Sequence, residues 1–197
     1  MPYQSRHSSV FQTAIESFVA PVLHRFHVQY PNVSLNVRMS STDEAMEGLT
    51  TGAAEIGLVL NPPVRDTIAR QEVFRDRMVA TFAPNHPLAK RKVVSLRELA
   101  EFPFVLTEPS FGLRQQIDRI FHQNAVRPEF FCVTSSLALV KEVASISPQC
   151  TLLPRFSVEH EVAAGTRSTT TVREFAADPL RPAFAQTVVD YCQRYRR

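Results

Sequence analysis

Four polar loops, at residues 12–13, 40–42, 107–112 and 134–136, each stand directly between a strand candidate and a helix candidate. This recurrence constrains the chain more than any other feature, because strands that each feed a helix build βαβ units around a mainly parallel sheet. The connection over 33–52 shows the grammar most plainly. Residues 33–39, VSLNVRM, alternate with period two and read as a strand. Ser41 and Glu44 then stand at capping-box spacing, 43–51 reads as a helix, and Gly52 closes it. Residues 54–60, AEIGLVL, give a buried strand.

The same reading extends in both directions. Residues 13–29 are amphipathic, with Ile15, Phe18, Val19, Val22, Leu23 and Phe26 on one face, and Pro21 predicts a kink or a shifted start. Residues 78–82 form a strand candidate that ends at Pro84, Asn85 and Pro87, with His86 a structural turn residue. Ser95 caps a single helical turn with Glu98 three residues on, and 104–106 is a short buried run. Helices are expected over 113–122, 136–144 and 156–164, the last closed by Gly165. Strands are expected over 129–133, 151–154 and 169–175. A final amphipathic helix over 184–195 would turn Phe184, Val188, Tyr191 and Cys192 inward.

With 197 residues, the chain can hold one substantial core or two lobes sharing a waist. A net charge of +3, scattered except at residues 90–92 and 194–197, falls short of a nucleic-acid footprint. Cys132, Cys150 and Cys192 show no ligand spacing and read as free thiols of a reducing compartment. MPYQSRHSSVFQ has no signal-peptide core, and no apolar run reaches the roughly 18 residues of a membrane span, so a soluble cytoplasmic protein is expected. There is no G-x-S-x-G, no H-E-x-x-H and no P-loop. The histidines form no metal set and glycines number five. No enzyme, no metal and no cofactor is therefore expected.

What the loops can do is bind. In an open α/β sheet, ligands lie outside the carboxyl ends of the strands, where helix N-termini present unpaired N–H groups and a positive dipole end. Several Ser/Thr-rich helix starts together suit a carboxylate or phosphate.

The stretch 74–106, FRDRMVATFAPNHPLAKRKVVSLRELAEFPFVL, resembles the middle of the effector-binding domain of LysR-type transcriptional regulators, with its strand, HPLA turn, Leu-rich connector and second strand. FVAPVLHRFHVQYP at 18–31, the strand at 54–60, Pro128, Thr134 to Ser136, Val143 and TLLP at 151–154 extend the resemblance. ASISP at 144–148 departs from the family's glycine pair. QSRHSSV at 4–10 departs from its apolar first strand, and only Pro182 stands where a further strand belongs.

The resemblance implies an α/β fold like the type II periplasmic binding proteins, two lobes joined by two crossing segments. Lobe one would take 1–78 and 157–197, and lobe two 79–156. It implies a small, anionic effector in the interlobe cleft, contacted by Gln12, Thr13, Ser41, Thr42, Ser110, Phe111, Leu113 and Ser135, with Arg114 within reach. It further implies a homodimer or homotetramer using surfaces 18–26 and 113–121. DNA would be contacted only through a winged helix-turn-helix absent from this chain. A free-standing solute-binding protein and a bilobed enzyme of the prephenate-dehydratase type are the alternatives.

Overall fold

Three parallel strands begin the first of two sheets: β1 (Gln4–Val10), β2 (Val33–Met39) and β3 (Ile56–Leu60). The computed structural model describes residues 4–10, 19–60, 62–146, 148–176 and 184–190. It comprises two units, residues 1–75 with 185–197, and residues 76–184.

In the first unit, β4 (Ala69–Asp76) and β11 (Phe184–Asp190) complete a sheet of order β2-β1-β3-β11-β4. Helix α1 (Ala20–Gln29) carries Pro21 in its first two positions, where the missing N–H costs no intrahelical bond. Helix α2 (Thr42–Thr51) ends at Gly52, whose φ of 78° is the left-handed conformation that glycine adopts freely. Its Ala45, Met46 and Leu49 are buried with Ala54, Val59 and Ile68. The helix comes so near β3 that a Cβ on Gly57 would lie 2.8 Å from Leu49 Cδ1.

The second unit holds β5 (Met78–Phe82), β6 (Val93–Val94), β7 (Phe104–Thr107), β8 (Phe130–Thr134), β9 (Cys150–Pro154) and β10 (Ser168–Val172), ordered β6-β10-β5-β9-β7-β8. Between and after them run α3 (Leu96–Leu99), α4 (Gly112–Gln123), α5 (Leu137–Ala144), a 3-10 turn (Arg155–Val158), α6 (Glu159–Ala163) and α7 (Arg173–Ala176). Every residue of β5, β7 and β9 is buried, as strands covered on both faces must be. Phe82, Phe104, Met78, Leu96, Leu99, Ile117 and Leu152 are among the large, fully buried side chains of this core.

The turn after β5 is scaffold. His86 is 3% exposed, stacks on Phe82 at 4.6 Å and lies 4.4 Å from Phe102. Its Nδ1 accepts from the Leu88 N–H at 3.1 Å, which leaves the proton on Nε2 to donate to the Pro148 carbonyl at 3.1 Å. Burial lowers its pKa from the ordinary 6.5, and the Pro148 bond opposes this without cancelling it. A second proton would face the Leu88 N–H across Nδ1. Below pH 6.5 the unfolded chain takes up a proton that the folded chain resists, so stability is expected to fall as pH drops from 7.5 towards 5.5. Urea melts at these two pH values check it: His86→Gln should flatten the difference, and an unchanged difference would acquit His86.

Several sequence expectations are corrected. Residues 184–190, read as part of a helix, form β11 antiparallel to β3, because a strand partner overrides an ambiguous local pattern. β11 begins two residues past Pro182. The strand expected over 169–175 ends at Val172 and turns into α7, and the helix expected over 156–164 is a 3-10 turn followed by α6. Since β10 pairs with β5 and β6, the chain stays in the second unit to Phe184 rather than leaving it at 157. The sheets are mixed rather than mainly parallel, with β10, β5 and β9 successively antiparallel. Residues 13–18 and 191–195 of two expected helices lie outside the described residues.

Candidate functional site

In the first unit, the candidate loop is set by the cap of α2. Ser41 has extended backbone, its Oγ accepts from the Glu44 N–H at 3.2 Å, and its own N–H donates to Glu44 Oε2 at 2.8 Å. Both halves of the expected capping box are thus present, and Ser41 is occupied by its own helix. Thr42, the first residue of α2, is 4% exposed. Beside them the Ser40 hydroxyl is buried and has no hydrogen-bond partner among the described residues. Such a group normally costs on the order of 1–3 kcal/mol unless a ligand or water meets it. The sequence places Ser40 in the same candidate loop as Ser41 and Thr42, but only the latter two were expected as effector contacts.

In the second unit, pairing brings two candidate loops together. β7 and β8 are parallel neighbours with Thr107 opposite Thr134, and the Glu108 N–H donates to the Thr134 carbonyl at 3.2 Å. The loop at 107–112 turns back on itself through Phe111 N–H to Glu108 C=O at 3.1 Å and enters α4 with no side-chain cap. Ser110 is exposed, Phe111 half-buried and Leu113 buried at this helix start. α5, in contrast, is capped: Ser136 Oγ accepts from the Leu139 N–H at 3.3 Å, and the Ser136 N–H donates to Thr134 Oγ1 at 3.1 Å. Ser135 is therefore the exposed member of its loop, free of the cap that Ser136 supplies. Thr107, which opens the candidate loop but was not among the expected effector contacts, is 4% exposed, and its hydroxyl has no partner among the described residues.

Arg114 is engaged within the second unit. It is 7% exposed, with Nε donating to Asp118 at 2.8 Å, one guanidinium nitrogen donating to the Thr107 carbonyl at 2.9 Å, and the group 4.7 Å from the Phe130 ring centre. Its work is to tie α4 to the ends of β7 and β8. Of the remaining expected contacts, Gln12 and Thr13 lie outside the described residues.

The family model for the LysR substrate binding domain matches residues 9–185. This chain belongs to that family. A LysR substrate-binding domain is a ligand-binding regulatory module with the two-lobed α/β fold.

Among curated relatives, the HTH-type transcriptional regulator CysL of Bacillus subtilis is 29% identical over 127 residues, covering 64% of this chain and 42% of CysL. YeiE of Escherichia coli, an uncharacterised HTH-type transcriptional regulator, is 24% identical over 157 residues, covering 79% of this chain and 53% of YeiE. The LysR domain described here thus spans about half the length of such relatives.

Of solved structures, the regulatory domain of Synechocystis PCC6803 CcmR in complex with 2-PG superposes with a TM-score of 0.84 at 18% identity, covering 96% of this chain and 88% of that one. The effector-binding domain of QuiR with shikimate gives 0.78 at 15% identity, covering 95% and 87%. At these identities the likeness is one of fold.

Among the described residues, no group of three or more His, Cys, Asp or Glu side chains could hold a metal, and no helix is long and apolar enough to cross a membrane. Cys132 and Cys150 are free thiols, and burial pushes the Cys150 thiol far up. Cys192 lies outside the described residues.

Proposed function

We propose that this LysR domain senses a small anionic effector through its strand-end loops, with Thr107, Ser110 and Ser135 as polar contacts offered by the second unit and Ser40 and Thr42 as those offered by the first. The supporting observation is the uncapped start of α4, held beside the loop at 134–136 by the Glu108 to Thr134 bond. A helix start without its own side-chain acceptor offers N–H groups and a positive dipole end to a ligand oxyanion. The Thr107 hydroxyl of the second unit is buried with no partner among the described residues, and so, in the first unit, is that of Ser40. The solved relatives named above hold 2-PG and shikimate, small acids of this chemistry.

The effector acts by binding one conformational state better than another, and this differential affinity biases the regulator's action on DNA. DNA itself is met by a helix-turn-helix domain outside these residues, as the names and lengths of the curated relatives suggest. The working compartment is then the cytoplasm.

A thermal-shift screen of small carboxylates and phosphate esters, with 2-PG and shikimate among them, tests the reading. At about 100 times its Kd an effector adds about 2.7 kcal/mol of stability, a shift of several degrees. Thr42→Ala and Ser110→Ala should each cut that shift, and a shift that survives both sinks the site assignment.

A homodimer is part of the same proposal, with one surface revised. Leu113, Ile117 and Phe121 are 7%, 1% and 4% exposed and belong to the core, so the apolar face of α4 is not available to a partner. Phe131 and Val133 on the edge strand β8, and Val22 and Val28 on α1, are exposed at 61%, 45%, 47% and 70%. Sedimentation velocity should show a dimer that Phe131→Glu converts to monomer. A dimer untouched by that charge would move the interface elsewhere.

A further inference from the structure

We infer that the second unit carries another ligand site, a groove for a compact, multiply charged oxyanion on the β5–β10 side of its sheet. The groove has a volume of about 390 Å³, within the range of small-molecule sites. In the sheet order β6-β10-β5-β9-β7-β8, strand β9 and then β7 separate it from the loop that follows β8, so it is distinct from the effector loops of this unit.

Arg77, Lys92 and Arg155 line it as cations, and Glu159 is the acid among the lining side chains. The two arginines are brought together by the fold: Met78 pairs with Pro154, and the Arg155 N–H donates to the Arg77 carbonyl at 3.0 Å. Glu159 meets Arg155 at 3.5 Å, but both side chains are more than half exposed, so the pair is weak and an incoming anion can replace it. Nearby acids are engaged elsewhere. Asp76 accepts from the Phe156 N–H at 2.9 Å, and Glu161 accepts from Lys141 Nζ at 2.9 Å.

The strand floor carries threonines beside Val79. Thr169 and Thr171 of β10 line the groove, and Thr169 is paired with Thr81, which is paired with Thr151. Directly opposed residues of antiparallel strands share a face, so these hydroxyls form a row running inward from the groove. Those of Thr81 and Thr151 are fully buried and have no partner among the described residues. Val158 and Val162 wall the groove, and so leave room for a short carbon frame. Cations at the mouth, hydroxyls beneath and a little apolar wall fit a di- or tricarboxylate or a phosphorylated small molecule.

Amide NMR of the chain, titrated separately with citrate and with pyrophosphate and against sodium chloride at matched ionic strength, tests the site. Saturable shifts at 155–158 and 169–171 are expected with at least one of the two anions and not with chloride. A response to one anion alone assigns the charged group as carboxylate or phosphate. Arg77→Ala with Arg155→Ala, both at exposed positions, should weaken binding at least about tenfold, and Lys92→Glu should weaken it independently. Arg97→Ala, on exposed α3 surface, should not. No saturable shift with either anion, shifts confined to 107–113 and 134–136, or an affinity unmoved by both cation variants overturns the proposal. Failure here leaves the effector reading untouched, since its screen reads different residues.

Discussion

Phe104→Ala is expected to cost about 3–5 kcal/mol of unfolding free energy, the range for deleting a fully buried aromatic ring. Phe104 is 0% exposed in β7, which pairs with β8 on one side and β9 on the other. Its ring meets that of Phe121 edge to face at 5.3 Å and 86°, so the substitution empties a ring-sized space and removes a favourable aromatic pair. Neighbours cannot close that space easily, because Ile117, Leu106 and Leu152 are themselves at most 1% exposed and held by the sheet and α4. A domain of ordinary stability has only about 5–15 kcal/mol in total, so the variant should lie near its unfolding midpoint in modest urea. Phe104→Leu, which keeps most of the volume, should lose much less. An alanine variant that melts within about 1 kcal/mol of the parent would show that the ring is not a core member.

The elements written most plainly in the sequence are those whose cause is local. Ser41 with Glu44 and Ser95 with Glu98 announce capping boxes by spacing, and both boxes are formed with every bond in place. Glu98 is held below the usual carboxylate range mainly by the Ser95 backbone N–H. The strands Val33–Met39 and Met78–Phe82 have the boundaries their patterns predict.

Elements decided by distant partners were not legible. QSRHSSV has no apolar run, yet it is a strand because β2 and β3 offer hydrogen bonds on both sides. FAQTVVD fits a helix locally and becomes a strand because β3 has an open edge for it. The candidate site divides the same way. Helix starts at Thr42, Ser110 and Ser135 could be found from strand-loop-helix order. That Thr107 and Ser40 are buried without partners, and that Arg114 turns back onto Thr107 rather than outward, depends on contacts no local pattern encodes.

Glu161→Ala is expected to destabilise the second unit by about 2–4 kcal/mol, because it takes a carboxylate partner away from a buried ammonium. The Lys141 side chain is 8% exposed on α5 and donates to Glu161 of α6 at 2.9 Å. Arg167 extends the cluster by bonding the Lys141 carbonyl and Glu142. Burial alone would raise the Glu161 pKa, but the bond from Lys141, backbone hydrogen bonding and the charges of Lys141 and Arg167 together hold it below the ordinary 4.5. The stability this confers is full above pH 4.5 and is lost as pH falls through the lowered folded value, where the native carboxylate must finally take a proton. Glu161→Gln should therefore be less stable at neutral pH and show a shallower acid limb in urea melts from pH 7 to 3. Removing both charges as Lys141→Met with Glu161→Leu should recover much of the loss, since an apolar pair has no desolvation to offset. If the double variant is no better than Glu161→Ala, the cost lies in side-chain shape and not in the lost charge pairing, and the acid limb will then be unchanged in Glu161→Gln.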